Sequence, residues 1–447
     1  MTSRQSTLFG AAVACFGLFA GAASAAIYTV TSSSDSGGGT LRQAILESNG
    51  HPGADTIRFA IPGAGVHTIA PLTALPPITD TLTIDGYSQP GSRPNTKAVR
   101  DDAIILIDIG GATSPAGVIG LAVNHDGCVI RGLAVHGFHP IGGSTGGVGI
   151  VVSGSFCTIA GNFVGTDPSG MVDDGNTEGV VLTGDHDRVG GTSPADRNLI
   201  GGSVNAVGLR VSGDADLVQG NFIGTDATGR SPIANHGAGI VVGGHGDAIG
   251  GSVRGAGNVI AFNGGSIIVP GTESSGISIL GNSMFGPGSD ARGVGGIDLG
   301  YDGVTPNDAC DFDTGVNVRQ NYPVVASAVS DRGSVDIVFS LDSRPSVPYR
   351  IEFFASRSCD ASGFGQGERY LGAVGVSTDA GCSASATAHL DACLAGDYVI
   401  TATATDEAGN TSEFSACVPL VVLPGTSCRQ AVALGPLVPA RVRRHRS

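Results

Sequence analysis

The sequence predicts an all-β protein: a parallel β-helix with an N-terminal capping helix, followed by an immunoglobulin-like β-sandwich. Three observations carry this. Glycine supplies 73 of 447 residues, and at roughly 1 kcal/mol per helical position relative to alanine that content disfavours long helices. A long unit repeats within the chain, and each copy holds several short apolar strands. After Tyr322 the repeat gives way to longer alternating strands. Collagen is excluded because the glycines keep no three-residue period. Disorder is excluded because 41% of the residues are hydrophobic, enough for a large core.

Residues 1–25 have the form of a secretory leader, with Arg4, an apolar stretch from Leu8 to Ala22 and the small residues Ala23-Ser24-Ala25. The N-terminal cap and first turns are expected over 26–116. There Thr40 is placed to cap a short helix, LRQAILES, with Gln43 at the capping-box position and Leu41, Ala44 and Ile45 as its apolar stripe. Such a helix would cover the open end of a solenoid, which otherwise exposes a sheet edge.

The repeats occupy 117–320. GVGIVVSGSFCTIAGNFVGTDPSG at 147–170 recurs 59 residues on, and EGVVLTGDHDRVGGTSPADRNLIGG at 178–202 recurs 60 residues on. Each long unit holds two turns. One strand begins at Leu121, Ile150, Val180, Leu209, Ile240, Ile267 and Ile297. A second is marked by Ile130, Ile159, Val189, Val218, Ile249 and Ile279. A third follows Asn162, Asn198, Asn221, Asn258 and Asn282, which are expected to stack as an amide ladder. From 321 to 422 the strands VDIVFSLDS, YRIEFFAS, RYLGAVGVST, ASATAHL and DYVITATATDEAG suit the sandwich. Residues 423–447 form a basic tail, expected to be flexible.

Lys and Arg number 24 against 39 Asp and Glu, a net charge of −15, with the bases clustered in the tail. That balance excludes a basic stripe for nucleic acid. It would also repel acidic polysaccharides unless cations bridged them. An exported chain keeps eight of its nine cysteines, and disulfides are expected. Cys359–Cys417 and Cys382–Cys393 would pin the sandwich. Cys128 and Cys157, at one register of adjacent turns, would stack closely enough for a bridge.

Gly39-Thr40-Leu41-Arg42-Gln43-Ala44-Ile45, DTIRFAIPG (55–63), TIDGYSQPG (83–91), the GNFIGTDATG repeats, IDLGYDGVTPND (297–308) and ATDEAGNTSEFS (404–415) together make a resemblance. The chain resembles secreted bacterial right-handed parallel β-helix proteins of the pectin-lyase-like superfamily, in the subgroup with a Cys-Ser-Leu-Arg-Glu-Ala-Ile box. Here the cysteine, serine and glutamate of that box are replaced. The resemblance implies the fold and does not carry an activity.

Outward positions of the first repeat strand, where enzymes of this fold usually work, are Ala122, Val151, Val181, Arg210, Val241, Ile268 and Asp298. Most are apolar, so the stripe is expected to be covered by a loop, the sandwich or another subunit, or simply to reflect strand propensity. His245 in Gly244-His245-Gly246 and the pair Asp173 and Asp174 are similar to polygalacturonase motifs. However, His245 takes the place of Asp185 one long repeat earlier, which makes it a turn variant. Arg188 and Arg210 could serve a lyase as bases, yet Arg–Asp pairing on a solenoid surface is usually structural. Asp298, Asp302, Asn307, Asp308, Asp311 and Asp313 gather oxygen ligands suited to calcium, or else form Asx turns in solvent.

The expected function is binding or adhesion to extracellular glycan by a secreted or cell-surface protein. The first alternative is a calcium-assisted polysaccharide lyase or glycoside hydrolase. The second is a structural surface protein that self-associates through its apolar stripe. Calcium is the one cofactor expected, and no segment of the mature chain is expected to span a membrane.

Overall fold

Valine, isoleucine and leucine recurring once per turn stack inside the chain as continuous apolar columns. In the computed structural model, which describes residues 24–115, 117–139, 146–204, 206–286, 296–426 and 428 and the backbone of 441–443, these columns form a parallel β-solenoid of about nine turns. Residues 1–23 lie outside that set, and with them the leader expected there except for its last two residues. Three parallel sheets of nine, eight and seven strands wall the solenoid. The third sheet pairs Leu121, Ile150, Val180, Leu209, Ile240, Ile267 and Ile297 in one register. The first sheet does the same for Ile130, Ile159, Val189, Val218, Ile249 and Ile279. The repeat was therefore readable to the residue.

Polar ladders fill the corners. Asn162, Asn198, Asn221, Asn258 and Asn282 are buried, and each side-chain amide of the first four donates to the Oδ1 of the next. A second amide column, Asn235 on Asn263, closes another corner. A third column is acidic. Asp187, Asp216 and Asp247 occupy one register on successive turns, each with Oδ1 accepting a backbone N–H from the turn before. Only glycine fits opposite them: a Cβ on Gly213 would stand 1.7 Å from the Gly184 carbonyl oxygen.

Both ends of the solenoid are sealed. Helix Leu41–Asn49 is capped by Thr40, whose side chain accepts from the Gln43 N–H, and it buries Leu41, Ala44 and Ile45 over the first strands. At the other end, N–H groups of the last turn meet side chains of the C-terminal unit. Gly281 donates to Glu352, Ile279 to the Thr411 hydroxyl, Gly276 to Asn410 and Leu299 to Glu413. Phe354 and Phe414 extend the solenoid core there. The segment ATDEAGNTSEFS is thus the plug of an open sheet edge.

The C-terminal unit has antiparallel strands in two layers, joined by Val418–Val422, which pairs parallel with Val324–Asp331 and antiparallel with Val399–Asp406. Their inward faces share one core, with Phe339 edge-on to Phe353. Cys359–Cys417 forms as expected. Cys382 instead pairs with Cys310, and Cys393 with Cys428. The expected Cys382–Cys393 bridge fails because strand Ser383–Leu390 separates the two. Eight extended residues span about 26 Å, far beyond disulfide reach. Cys128 and Cys157 are in register and buried but remain thiols. The Cys157 thiol lies 3.3 Å from the His125 carbonyl oxygen and the Cys128 thiol 3.6 Å from that of Asp80. The tail expected to be flexible contributes strand Arg441–Arg443, paired with Ser383–Leu390. Among the described residues no helix is long and apolar enough to cross a membrane.

Candidate functional site

The corner preceding the first sheet presents side chains once per turn. Gly127, Phe156, His186, Ala215, Gly246 and Gly276 share a left-handed backbone, with φ between 59° and 72°. Glycine adopts this without penalty; an aromatic residue there is strained. Phe156 is nonetheless held there, 63% exposed, with its ring stacked on His186 at 4.9 Å between centroids and 29° between planes. One residue earlier runs an exposed column. Asp126 accepts from the Ser155 N–H, Asp185 from the Asp214 N–H, and Asp214 from the His245 N–H. His245 is therefore a rung of this ladder, as its place in the repeat implied. This ridge was missed in the sequence, because glycine, phenylalanine, histidine and alanine share the Phe156 position, and only the backbone conformation is common to all of them.

The buried aspartates lie one residue further on. Burial pushes Asp187 up to about 7, Asp216 to about 8 and Asp247 to about 6, against the N–H bond each accepts. Their Oδ2 atoms have no hydrogen-bond partner. Pairing of Arg188 and Arg210 with Asp187, Asp214 and Asp216 does not occur. Arg210 donates to Glu178 on the next strand at 2.7 Å, and Arg131 forks onto Asp85 at 2.8 and 3.0 Å. Arg188 stands half-buried on the outward face of Arg188–Gly190.

Asp174 bonds His136, not His245. The His136 ring lies between two carboxylates, with Nδ1 2.6 Å from Asp174 and Nε2 2.6 Å from Asp108. Burial lowers the affinity of His136 for its proton, but the two aspartates outweigh it and leave its pKa raised. Asp108 also accepts from Thr68 and lines a cleft of about 510 Å³ together with Asp167 and Ser169. Both imidazole nitrogens are engaged with carboxylates. Asp167 closes its own turn, accepting from Ser169, Met171 and Val172.

Of the six residues expected to hold calcium, three come together. The ligand atoms of Asp308, Asp311 and Asp313 lie within 4.8 Å of one another. Burial pushes Asp311 up to about 6 despite bonds from Ser343 and Asn321, and burial with Asp308 raises Asp313. One oxygen each of Asp308 and Asp313 is shielded without a hydrogen-bond partner. The other three are elsewhere engaged. Asp298 is buried on its strand, Asp302 pairs with Arg319 at 3.1 Å, and Asn307 clamps the backbone of Tyr322. They diverge because Asp298 is fixed by the strand pleat and Asn307 by its two bonds to the Tyr322 backbone.

The outer stripe of the third sheet is partly covered by its own flanks, with Val207 and Ala238 packing on Ile268 and Val241. The C-terminal unit covers the end of the solenoid rather than this face. Neither the family models nor the curated protein sequences contain a match to this chain.

Proposed function

We propose that this protein is a secreted or cell-surface β-helix protein of pectin-lyase-like type, with an immunoglobulin-like sandwich, that binds extracellular glycan without cleaving it. The observation that carries this reading is the exposed Phe156–His186 stack, held in strained backbone on a corner that three other turns fill with glycine. A sugar ring lays its C–H face on such a platform, and the neighbouring carboxylates accept its hydroxyl hydrogen bonds. His136, bonded at both nitrogens, and Arg210, paired with Glu178, support binding over catalysis.

Mature protein incubated with polyuronates and neutral glycans, with calcium or chelator, is expected to retain glycan and release neither new reducing ends nor unsaturated products. A product that disappears on Arg188→Ala or Asp174→Asn would overturn the reading in favour of a lyase or hydrolase. Calcium is the ion that suits the Asp308, Asp311 and Asp313 oxygens, since it relieves the repulsion among three close carboxylates, of which Asp311 is buried. Millimolar calcium is expected to raise the melting midpoint by about 3 °C or more, and Asp313→Asn to remove that gain. A midpoint indifferent to calcium and chelator would exclude the site.

A further inference from the structure

We infer that the ridge bearing Phe156 takes a cationic, amino-sugar polysaccharide laid along the solenoid axis; the inference rests on the glycan-binding reading and names the ligand class. Successive turns repeat at about 4.8 Å, so the corner offers a regular array to a regular polymer. Its outermost column carries the carboxylates of Asp126, Asp185 and Asp214, all exposed and each spending one oxygen on the ladder. The aromatic platform runs in the adjacent column. An amino sugar seated on Phe156 places its ammonium beside a carboxylate, a charge-assisted hydrogen bond that a neutral sugar lacks.

The cations facing this array are few. His186 and His245 belong to it, His125 borders it, and Arg188 stands on the neighbouring strand. The carboxylates outnumber the one permanent cation, in a chain of net charge −15. A polyuronate would meet like charge along the whole ridge. The exposed Phe156 ring, stacked on His186 beside the carboxylates, is the second, independent sign. Glycine holds the same conformation at Gly127, Gly246 and Gly276, so the aromatic ring is kept at a cost to local stability.

The test uses the full mature protein, a hexamer of glucosamine, its fully N-acetylated counterpart and polygalacturonate, with affinities measured by calorimetry. The glucosamine hexamer is expected to bind at least about tenfold more tightly than the acetylated one and to weaken as salt rises from about 50 to about 500 mM. The double variant Asp185→Asn with Asp214→Asn keeps the ladder acceptors and is expected to erase that preference without lowering the melting midpoint. Phe156→Gly relieves the backbone and is expected to fold at least as stably while losing both ligands. Equal affinity for the two hexamers would overturn the amino-sugar inference and leave glycan binding standing. No binding of any probe would overturn both. Binding of the glucosamine hexamer that survives Phe156→Gly would remove the ridge as its site.

Discussion

Asn221→Leu is expected to destabilise the protein by about 4 kcal/mol and lower its melting midpoint by roughly 4 to 5 °C. Asn221 is wholly buried at the centre of the amide ladder. Its Nδ2 donates to the Val189 carbonyl and to Asn258 Oδ1, while its Oδ1 accepts from the backbone and side-chain amides of Asn198. Leucine has a similar volume but removes four buried hydrogen bonds, each worth about 1 kcal/mol. Asn221→Asp restores the acceptor alone and should fall between wild type and leucine only under acid, where the new carboxyl is neutral. Exposed Asn124 provides the control, and its replacement by leucine should stay within about 0.5 kcal/mol. Scanning calorimetry reads all three. A loss below about 1 kcal/mol for Asn221→Leu would show that the ladder is decoration.

The protein is expected to melt several degrees higher at pH 5 than at pH 8, the reverse of a chain stabilised by surface carboxylates. Burial holds Asp247 at about 6, Asp187 at about 7, and Asp216 and Glu413 at about 8. In the unfolded chain the same groups release their protons near pH 4. Between those limits the folded state binds more protons than the unfolded state, so stability falls as pH rises above about 4 and levels off past about 8. His136 acts in the same sense. Its raised pKa gives stability that is present below about 6.5 and lost as pH rises through the folded value. Asp35, bonded by Arg42, is lowered, and so is Asp226, where burial is outweighed by its turn hydrogen bonds. Those two contribute above about pH 4 and set the acid limit. Asp216→Asn keeps an acceptor for the Asp187 N–H and removes the charge, so it should raise the pH 8 midpoint and flatten the profile. A midpoint at pH 8 equal to that at pH 5, in protein that melts in one transition, would refute the protonated column.

Residues that repeat were legible in the sequence; residues that act once were not. Inward Val180, Leu209 and Ile240 announced their register because water exclusion acts identically on every turn. The Asn162 to Asn282 ladder was legible for the same reason. Asp187, Asp216 and Asp247 also repeat, each three residues after a glycine, yet aspartate beside glycine reads equally well as an exposed turn. Burial alone separates the two meanings. Cys382 and Cys393 looked adjacent because only ten residues lie between them, whereas an extended strand turns that interval into distance. At the candidate site the place of His245 in the repeat was visible, but the exposed column of Asp126, Asp185 and Asp214 was not, and Phe156 carries its message in a dihedral angle. Of the six residues expected to hold calcium, Asp308, Asp311 and Asp313 lie together. The others are committed to a strand, an ion pair and the backbone of Tyr322.

The plugs at the two ends bear on how such a molecule can change size. Thr40 and its helix close one mouth; Glu352, Asn410, Thr411 and Glu413 close the other. Between them the strands of each turn pair only with the turns on either side, while the loop over 95–103 runs further, against Arg197 and Ala227; the strands form a stack of interchangeable floors under a fixed foundation and roof. Duplicating residues 147–205 in place should add two floors, lengthen the ridge and leave both closures intact. A molecule with neither plug would instead offer open strands to its copies and grow as a fibre. Length in this architecture is a heritable setting, and the caps make it safe to adjust.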